Sequence, residues 1–124
     1  MTSNVDTIKE NTIVQEISAK LFAGNFNGLW VVDDNNVVVG IVTIIDVLKA
    51  IRKGSALNKL RAKEIMTSNP SVVKKDASIY EIIDIMIEKE IIMVPVVDDN
   101  TNKIIGVVTR IDIITEKLKE DLTP

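Results

Sequence analysis

Hydrophobic positions along the chain switch between two periods. In the C-terminal half, Ile79, Ile82, Ile83, Met86 and Ile87 fall at helical spacing. Ser78 precedes them and Glu81 follows it at the third position, a capping box in which the serine oxygen takes an orphan backbone N–H and the glutamate reaches back. This helix stops near Lys89-Glu90. Ile91 to Val97 then reads as an apolar strand interrupted by Pro95, and Lys103 to Val108 as its partner. Asp98-Asp99-Asn100-Thr101-Asn102 between them is a turn cluster. Pro70 to Lys74 is a short strand turned by Lys75-Asp76-Ala77, and Ile111 to Leu118 is a closing helix. The order is strand, helix, strand, strand, helix.

The N-terminal half follows the same plan. Thr12 and Gln15 read as a capping box ahead of Ile13, Ile17, Lys20 and Leu21, with Gly24 as the C-cap of that helix. Leu29 to Val32 and Val37 to Val42 form a hairpin around Asp33-Asp34-Asn35-Asn36. Val47, Leu48 and Ile51 mark a second helix, stopped by Arg52-Lys53-Gly54-Ser55 with basic residues suited to the negative end of the dipole.

The similarity extends to the residues. Gly40-Ile41-Val42-Thr43-Ile44-Ile45-Asp46 returns as Gly106-Val107-Val108-Thr109-Arg110-Ile111-Asp112, and Val31-Val32-Asp33-Asp34-Asn35 returns as Val96-Val97-Asp98-Asp99-Asn100. The pattern predicts a mixed α/β (α+β) fold of tandem β-α-β-β-α repeats: residues 1–55, a linker over 56–63, and residues 64–124. Repeats this short are marginal alone, so one shared globular unit is expected.

Composition narrows the function. Aromatics are only 3% of the 124 residues while isoleucine and valine dominate, which favours aliphatic packing of sheets against helices. The net charge of −3 and the lack of a basic block argue against nucleic acid. Without cysteine or histidine, disulfides, thiolate nucleophiles, the usual zinc sites and the commonest general base are excluded. No nucleophile–base–orienter set is visible, so the reading is not an enzyme. No apolar run of membrane-spanning length occurs, and Met1 to Asp6 lacks a charged-then-apolar leader, so a cytoplasmic address is expected.

The candidate chemistry lies in the two Gly-h-h-Thr-x-x-Asp runs (h, aliphatic), each at a strand-to-helix junction. Thr43 with Asp46, and Thr109 with Asp112, fit a capping box that closes the helix start and nothing more. The same geometry also suits a ligand. A helix N-terminus attracts phosphate, a threonine hydroxyl adds a hydrogen bond, and a carboxylate accepts from the paired hydroxyls of a ribose. Both readings stand at this point. Arg110, where the first copy has Ile44, reads either as a solvated helix residue or as a phosphate clamp. Asp33-Asp34 and Asp98-Asp99 read as turn residues before metal ligands. Trp30, Met66, Met86 and Met93 read as packing or pocket lining, and Tyr80 as a helix-surface or packing residue.

Ile65-Met66-Thr67-Ser68-Asn69-Pro70, Val94-Pro95-Val96-Val97-Asp98 and the two Thr-x-x-Asp runs resemble a cystathionine-β-synthase-type (CBS) domain pair, the Bateman module, over essentially the whole chain. The resemblance implies two intertwined units with pseudo-twofold symmetry. It implies no catalysis and no cofactor. The ligand would be a regulatory adenosine compound (AMP, ADP, ATP or S-adenosylmethionine, with AMP or ATP foremost) held in clefts between the repeats. It further implies a homodimer and a separate regulated protein. Carried over, one site joins Thr43, Ile45 and Asp46 with Met66, Pro70, Ser71, Ile91 and Ile92. The other joins Thr109, Arg110, Ile111 and Asp112 with Val5, Phe26 and Asn27. Repeat one departs from the family pattern at Trp30, which stands where repeat two has Pro95, and in Asn25-Phe26-Asn27-Gly28, which carries an extra residue. The alternative is an interaction or oligomerisation module with empty clefts.

Overall fold

The computed structural model describes residues 5–122. Residues 1–4, part of the Met1 to Asp6 stretch on which the leader expectation rests, lie outside the described residues. The elements run β1 (Thr7–Lys9), α1 (Val14–Gly24), β2 (Gly28–Val32), β3 (Val38–Thr43), α2 (Ile44–Arg52), α3 (Ala62–Ile65), β4 (Thr67–Ser68), β5 (Val73–Lys74), α4 (Ile79–Lys89), β6 (Met93–Val97), β7 (Ile104–Thr109) and α5 (Arg110–Leu122). No helix among the described residues is long and apolar enough to cross a membrane. The chain divides into two compact units, Asp6–Pro70 and Ser71 onward, and Val5 groups with the latter.

In the Asp6–Pro70 unit the sheet order is β1-β2-β3-β4. β1 is parallel to β2, while β2–β3 and β3–β4 are antiparallel. Ile8, Leu29, Val31 and Val42 from the strands meet Val14, Ile17 and Leu21 of α1 and Val47 of α2. Ile17 is fully buried, and such burial contributes about 1.5–3 kcal/mol per side chain. Trp30 is buried as well, at 4% exposure, in keeping with the packing reading.

Two details of α1 depart from expectation, one at each end. Thr12 and Gln15 do not form a capping box: the N-cap is Ile13, without a side-chain cap. The first N–H groups of α1 are instead met by the 56–63 segment, Val14 N donating to Leu60 O at 2.9 Å and Gln15 N to Leu57 O at 3.0 Å. The Thr12 hydroxyl turns back to accept from Lys9 N at 3.0 Å. Leu57 and Leu60 also pack on the apolar cluster, so this segment is a working part of the first unit. At the other end, the C-cap is Asn25 in the left-handed region (φ 52°), and Gly24 is the last helical residue. Gly24 is required by space, because a Cβ there would lie 2.1 Å from the Phe26 ring.

In the second unit the order is β5-β6-β7, with β5 parallel to β6 and β6 antiparallel to β7. Val73, Val94 and Val96 meet Ile82 and Met86 of α4. The strand expected over Pro70–Lys74 is ordered as β only at Val73–Lys74. Proline supplies the reason. Thr7 of β1 pairs with Trp30, but the equivalent of Trp30 is Pro95, which has no N–H to give, and β5 begins one residue later at Val73 opposite Val96. α4 keeps only the serine half of the expected box, Ser78 Oγ accepting from Glu81 N at 3.1 Å, and the Glu81 side chain does not reach back to the N-cap. α5 begins at Arg110, one residue ahead of the expected start, and extends to Leu122 beyond Leu118.

The hairpin aspartates serve the backbone. Asp33 Oδ1 accepts from Asn35 N at 2.8 Å and Val37 N at 3.0 Å. Asp98 Oδ1 accepts from Asn100 N and Thr101 N, each at 2.9 Å, and from Thr101 Oγ1 at 3.1 Å. The Thr101 and Asn100 amides, the Thr101 hydroxyl and nearby Lys75 hold the Asp98 carboxyl below its usual 3.8. A carboxyl depressed in the fold stabilises it above the unfolded pKa and loses that contribution as the pH falls through the folded value. Urea titrations of wild type and Asp98→Asn at several pH values should therefore show a stability gap above pH 3.8 that closes as the pH drops below it. A gap independent of pH would remove this role.

Gly40 faces a second spatial limit. A Cβ there would lie 2.6 Å from Met66 Sδ and 3.0 Å from the Thr67 carbonyl oxygen of β4. Met66 can swing away, but the β4 backbone cannot. Gly40→Ala is expected to lower unfolding free energy by about 1–3 kcal/mol, the usual cost of overpacking, read as the urea midpoint.

Candidate functional site

The strand-to-helix junctions are built without a loop. Thr43 ends β3 in extended backbone (φ −109°, ψ 169°), and Ile44 is already helical. An abrupt turn of this kind exposes orphan N–H groups, and Thr43 and Asp46 close them reciprocally. Thr43 N donates to Asp46 Oδ2 at 2.8 Å and Thr43 Oγ1 donates to the same oxygen at 3.0 Å, while Asp46 N donates to Thr43 Oγ1 at 3.4 Å. The β7–α5 junction repeats this: Thr109 N donates to Asp112 Oδ2 at 2.9 Å and Asp112 N to Thr109 Oγ1 at 3.2 Å. All four residues are half-buried.

The capping reading of the sequence is therefore correct in its geometry, yet it uses only Oδ2 of each carboxylate. A carboxylate offers about four lone-pair positions, so Oδ1 of Asp46 and of Asp112 keeps its accepting capacity. The cap fixes the orientation of that oxygen in advance.

The helix starts have little room left for phosphate. The N1 amides are taken by the residues just ahead of β2 and β6, Ile44 N donating to Asn27 O and Arg110 N to Ile92 O, each at 3.1 Å. With the N-cap and N3 amides used in the box, the donors that these bonds leave over are the N–H groups of Ile45 and Ile111. Both side chains are exposed, at 57% and 64%.

The remaining expected residues are distributed as follows. Met66 and Pro70 share the Asp6–Pro70 unit with Thr43, Ile45 and Asp46. Both are half-buried, and Met66 lies against Gly40. Phe26 and Asn27 belong to this unit too, Phe26 packing on its core and Asn27 supplying the carbonyl to Ile44. Ser71, Ile91, Ile92 and Val5 belong to the other unit with Thr109, Ile111 and Asp112. Ile91 packs on that unit's core and Ile92 is exposed.

Arg110 faces a different environment from Asp112. Two helical residues are separated by about 200° of rotation, so the two side chains leave α5 about 160° apart. Arg110 Nε donates to Ile91 O at 3.2 Å. Its side chain borders a groove of ≈ 350 Å³ between α4 and α5, together with Glu90. Glu90 was given no role by spacing alone. It is the C-cap of α4 at φ 53°, a left-handed conformation that glutamate rarely takes.

Comparison with known proteins bears on what such junctions do. The CBS domain family model matches residues 1–53 and again 62–119. An uncharacterized protein of Methanocaldococcus jannaschii is 35% identical over 108 residues, covering 87% of this chain and 34% of that protein. The L-aspartate semialdehyde sulfurtransferase of the same organism is 36% identical over 107 residues, covering 86% of this chain and 20% of the enzyme. The chain spans between 20% and 50% of the length of the first curated relatives it matches. Among solved structures, a CBS domain pair in complex with 5′-methylthioadenosine and S-adenosyl-L-methionine superimposes with a TM-score of 0.80 at 31% identity, covering 94% of this chain and 93% of that one. CBSX2 in complex with AMP gives 0.84 at 28% identity, covering 98% and 94%. The tandem α+β architecture is common to these pairs.

Thr43→Ala removes the hydroxyl that caps α2 and is expected to cost about 0.5–2 kcal/mol of unfolding free energy, with Thr43→Ser retaining most of it. Thr109→Ala should behave alike at α5. Chemical denaturation of the four proteins, wild type included, reads the difference. Unchanged midpoints in the alanine variants would show that the boxes do not hold the helices.

Proposed function

The chain belongs to the CBS domain family, and on that premise we propose that it is a regulatory module that binds an adenosine compound and passes its occupancy to a partner protein. The observation that carries this reading is the half-used carboxylate. In each junction one oxygen of Asp46 or Asp112 is held by backbone and hydroxyl donors, and the other is held in place to accept. Vicinal ribose hydroxyls are donors of the right chemistry, and no reorganisation is needed when they arrive. Ile45 and Ile111 add one N–H each and an exposed apolar side chain beside it. Solved relatives with AMP, S-adenosyl-L-methionine and 5′-methylthioadenosine support an adenosine ligand. The shared part of those ligands is the nucleoside, which agrees with helix starts that keep few free amides for phosphate.

The regulated partner is a separate cytoplasmic protein or a further part of the same one. In the sulfurtransferase relative the matching segment is a fifth of the whole protein. We further propose that two copies associate through helix faces. Leu48 and Ile51 of α2 and Ile114 and Leu118 of α5 are each more than half exposed, an apolar surface that water does not favour.

A second reading is a ligand-free interaction module, favoured by the fact that the boxes are complete without a ligand. The two separate in calorimetry. With AMP, ATP, S-adenosylmethionine and 5′-methylthioadenosine as titrants, at least one should bind. Asp46→Asn and Asp112→Asn each keep an amide oxygen for the cap but lose the charge. At an occupied junction the substitution should weaken binding about 10- to 150-fold, the equivalent of roughly 1.5–3 kcal/mol for a hydrogen bond to a charged group. No heat with any of the four, and no thermal shift, would establish the interaction reading instead.

A further inference from the structure

The charge of the chain is unevenly placed. Between Asp46 and Glu64 no acidic residue occurs, while Lys49, Arg52, Lys53, Lys59, Arg61 and Lys63 all fall in that interval. The cations are spaced rather than consecutive, so no basic block shows in the sequence. The interval nevertheless carries +6 within a chain of net −3, and the remainder carries −9. All six residues are exposed. Among the described residues, the ion pairs within 4.0 Å join Lys117 to Glu120 and Asp121, so none of the six is neutralised by a carboxylate. The interval is also compact. Lys49 and Arg52 lie in α2, Lys63 lies in α3, the two helices are in contact, and Leu57 and Leu60 between them pack on the core of the same unit.

Folding accounts for only part of this. Lys49, Arg52 and Lys53 suit the negative end of the α2 dipole. Lys59 and Arg61 sit in the opposite situation. They flank Leu60, whose carbonyl caps the start of α1, and a helix start is the positive end of its dipole. Arg61 offsets its position in part by donating Nη1 to Asn11 O at 2.8 Å, and Lys59 makes no such bond among the described residues. The second repeat closes differently. The last turns of α5 mix both signs, and Lys117 pairs there with its acidic neighbours. Solubility is served by mixed signs of that kind and does not call for an acid-free surface.

We infer that this cationic surface is where the regulated partner docks, through an acidic segment of its own chain. The inference rests on the regulatory reading proposed above and adds the chemistry of the partner contact. Exposed cations without carboxylate partners are open to pairing, and opposite potentials speed and orient such docking. A short acidic segment fits better than a larger polyanion. At physiological ionic strength a charge is felt over about 8 Å. A segment a few residues long therefore meets the six cations and little of the −9 carried elsewhere, whereas a duplex or a membrane sheet spans both. No aromatic residue stands between Asp46 and Glu64 to stack on a base either. The placement also suits regulation. α2 begins at the Thr43–Asp46 junction and ends in this surface nine residues later, about 13 Å along the helix axis.

Fluorescence anisotropy of a labelled oligoglutamate peptide, titrated with the full chain at several salt concentrations, tests this. The peptide should bind, and its Kd should rise with salt. Lys59→Glu combined with Lys63→Glu should weaken binding at least about tenfold without lowering the urea midpoint, a combination that a structural role for these lysines would not give. Lys20→Glu combined with Lys103→Glu makes the same change in net charge outside the interval and should leave the Kd nearly unchanged. Oligodeoxythymidine of equal charge and vesicles containing phosphatidylglycerol are the rival occupants, and tighter binding of either would overturn the choice of partner. A peptide that fails to bind at low salt, or that the control pair weakens as much as the Lys59 and Lys63 pair, would overturn the surface itself. Calorimetry of the wild type with AMP and S-adenosylmethionine keeps the two proposals apart. Ligand heat without peptide binding removes the docking surface alone, and peptide binding without ligand heat leaves that surface to an interaction module.

Discussion

Everything at the two junctions depends on one constraint: a strand that becomes a helix with no intervening loop must satisfy its orphan amides from within. Thr43 with Asp46, and Thr109 with Asp112, do this with a side chain that has more acceptors than the task consumes. The capping and ligand readings of the motif are then not rivals. The bonds that cap the helix also orient the free oxygen, so in the proposed function stability and binding rest on the same atoms. Loss of the carboxylate would touch both, which is why a charge-neutral, cap-preserving change separates them.

The residue just ahead of the neighbouring strand, β2 or β6, also holds each junction. Asn27 O and Ile92 O take the N1 amides, so the helix start is fastened to the sheet as well as to itself. The consequence is chemical. A helix start with most of its amides committed is a poor phosphate cradle and a good anchor for one oriented carboxylate. Under the proposed function, discrimination at these junctions falls on the nucleoside sugar more than on the phosphate.

Much of the fold could be read from the sequence because its determinants are local. The Ser78 cap, the hairpin turns at Asp33 and Asp98, and the Thr-x-x-Asp boxes are all set by residues within four positions of each other. What could not be read involves distant partners. The Thr12 box yields because carbonyls at Leu57 and Leu60 reach the α1 start first, and no periodicity reports a contact over that separation. β5 is shortened by a missing N–H on the neighbouring strand, at Pro95, and not by anything in its own residues. At the candidate site, the threonines and aspartates were visible in the repeat, but the direction of Arg110 was not. Only the packing of α5 against α4 shows that its side chain turns to the groove. Glu90 was invisible for a similar reason: its backbone conformation, not its identity, sets it apart.

The central claim is that a prefixed carboxylate oxygen receives the sugar. A crystal structure of the protein grown with AMP or S-adenosylmethionine tests it most directly. The account predicts ribose hydroxyls about 2.5–3.0 Å from Oδ1 of Asp46 or Asp112, with Oδ2 still accepting from the threonine amide. A nucleoside bound with its ribose away from both aspartates, or a carboxylate that must abandon its threonine to reach the sugar, would contradict it.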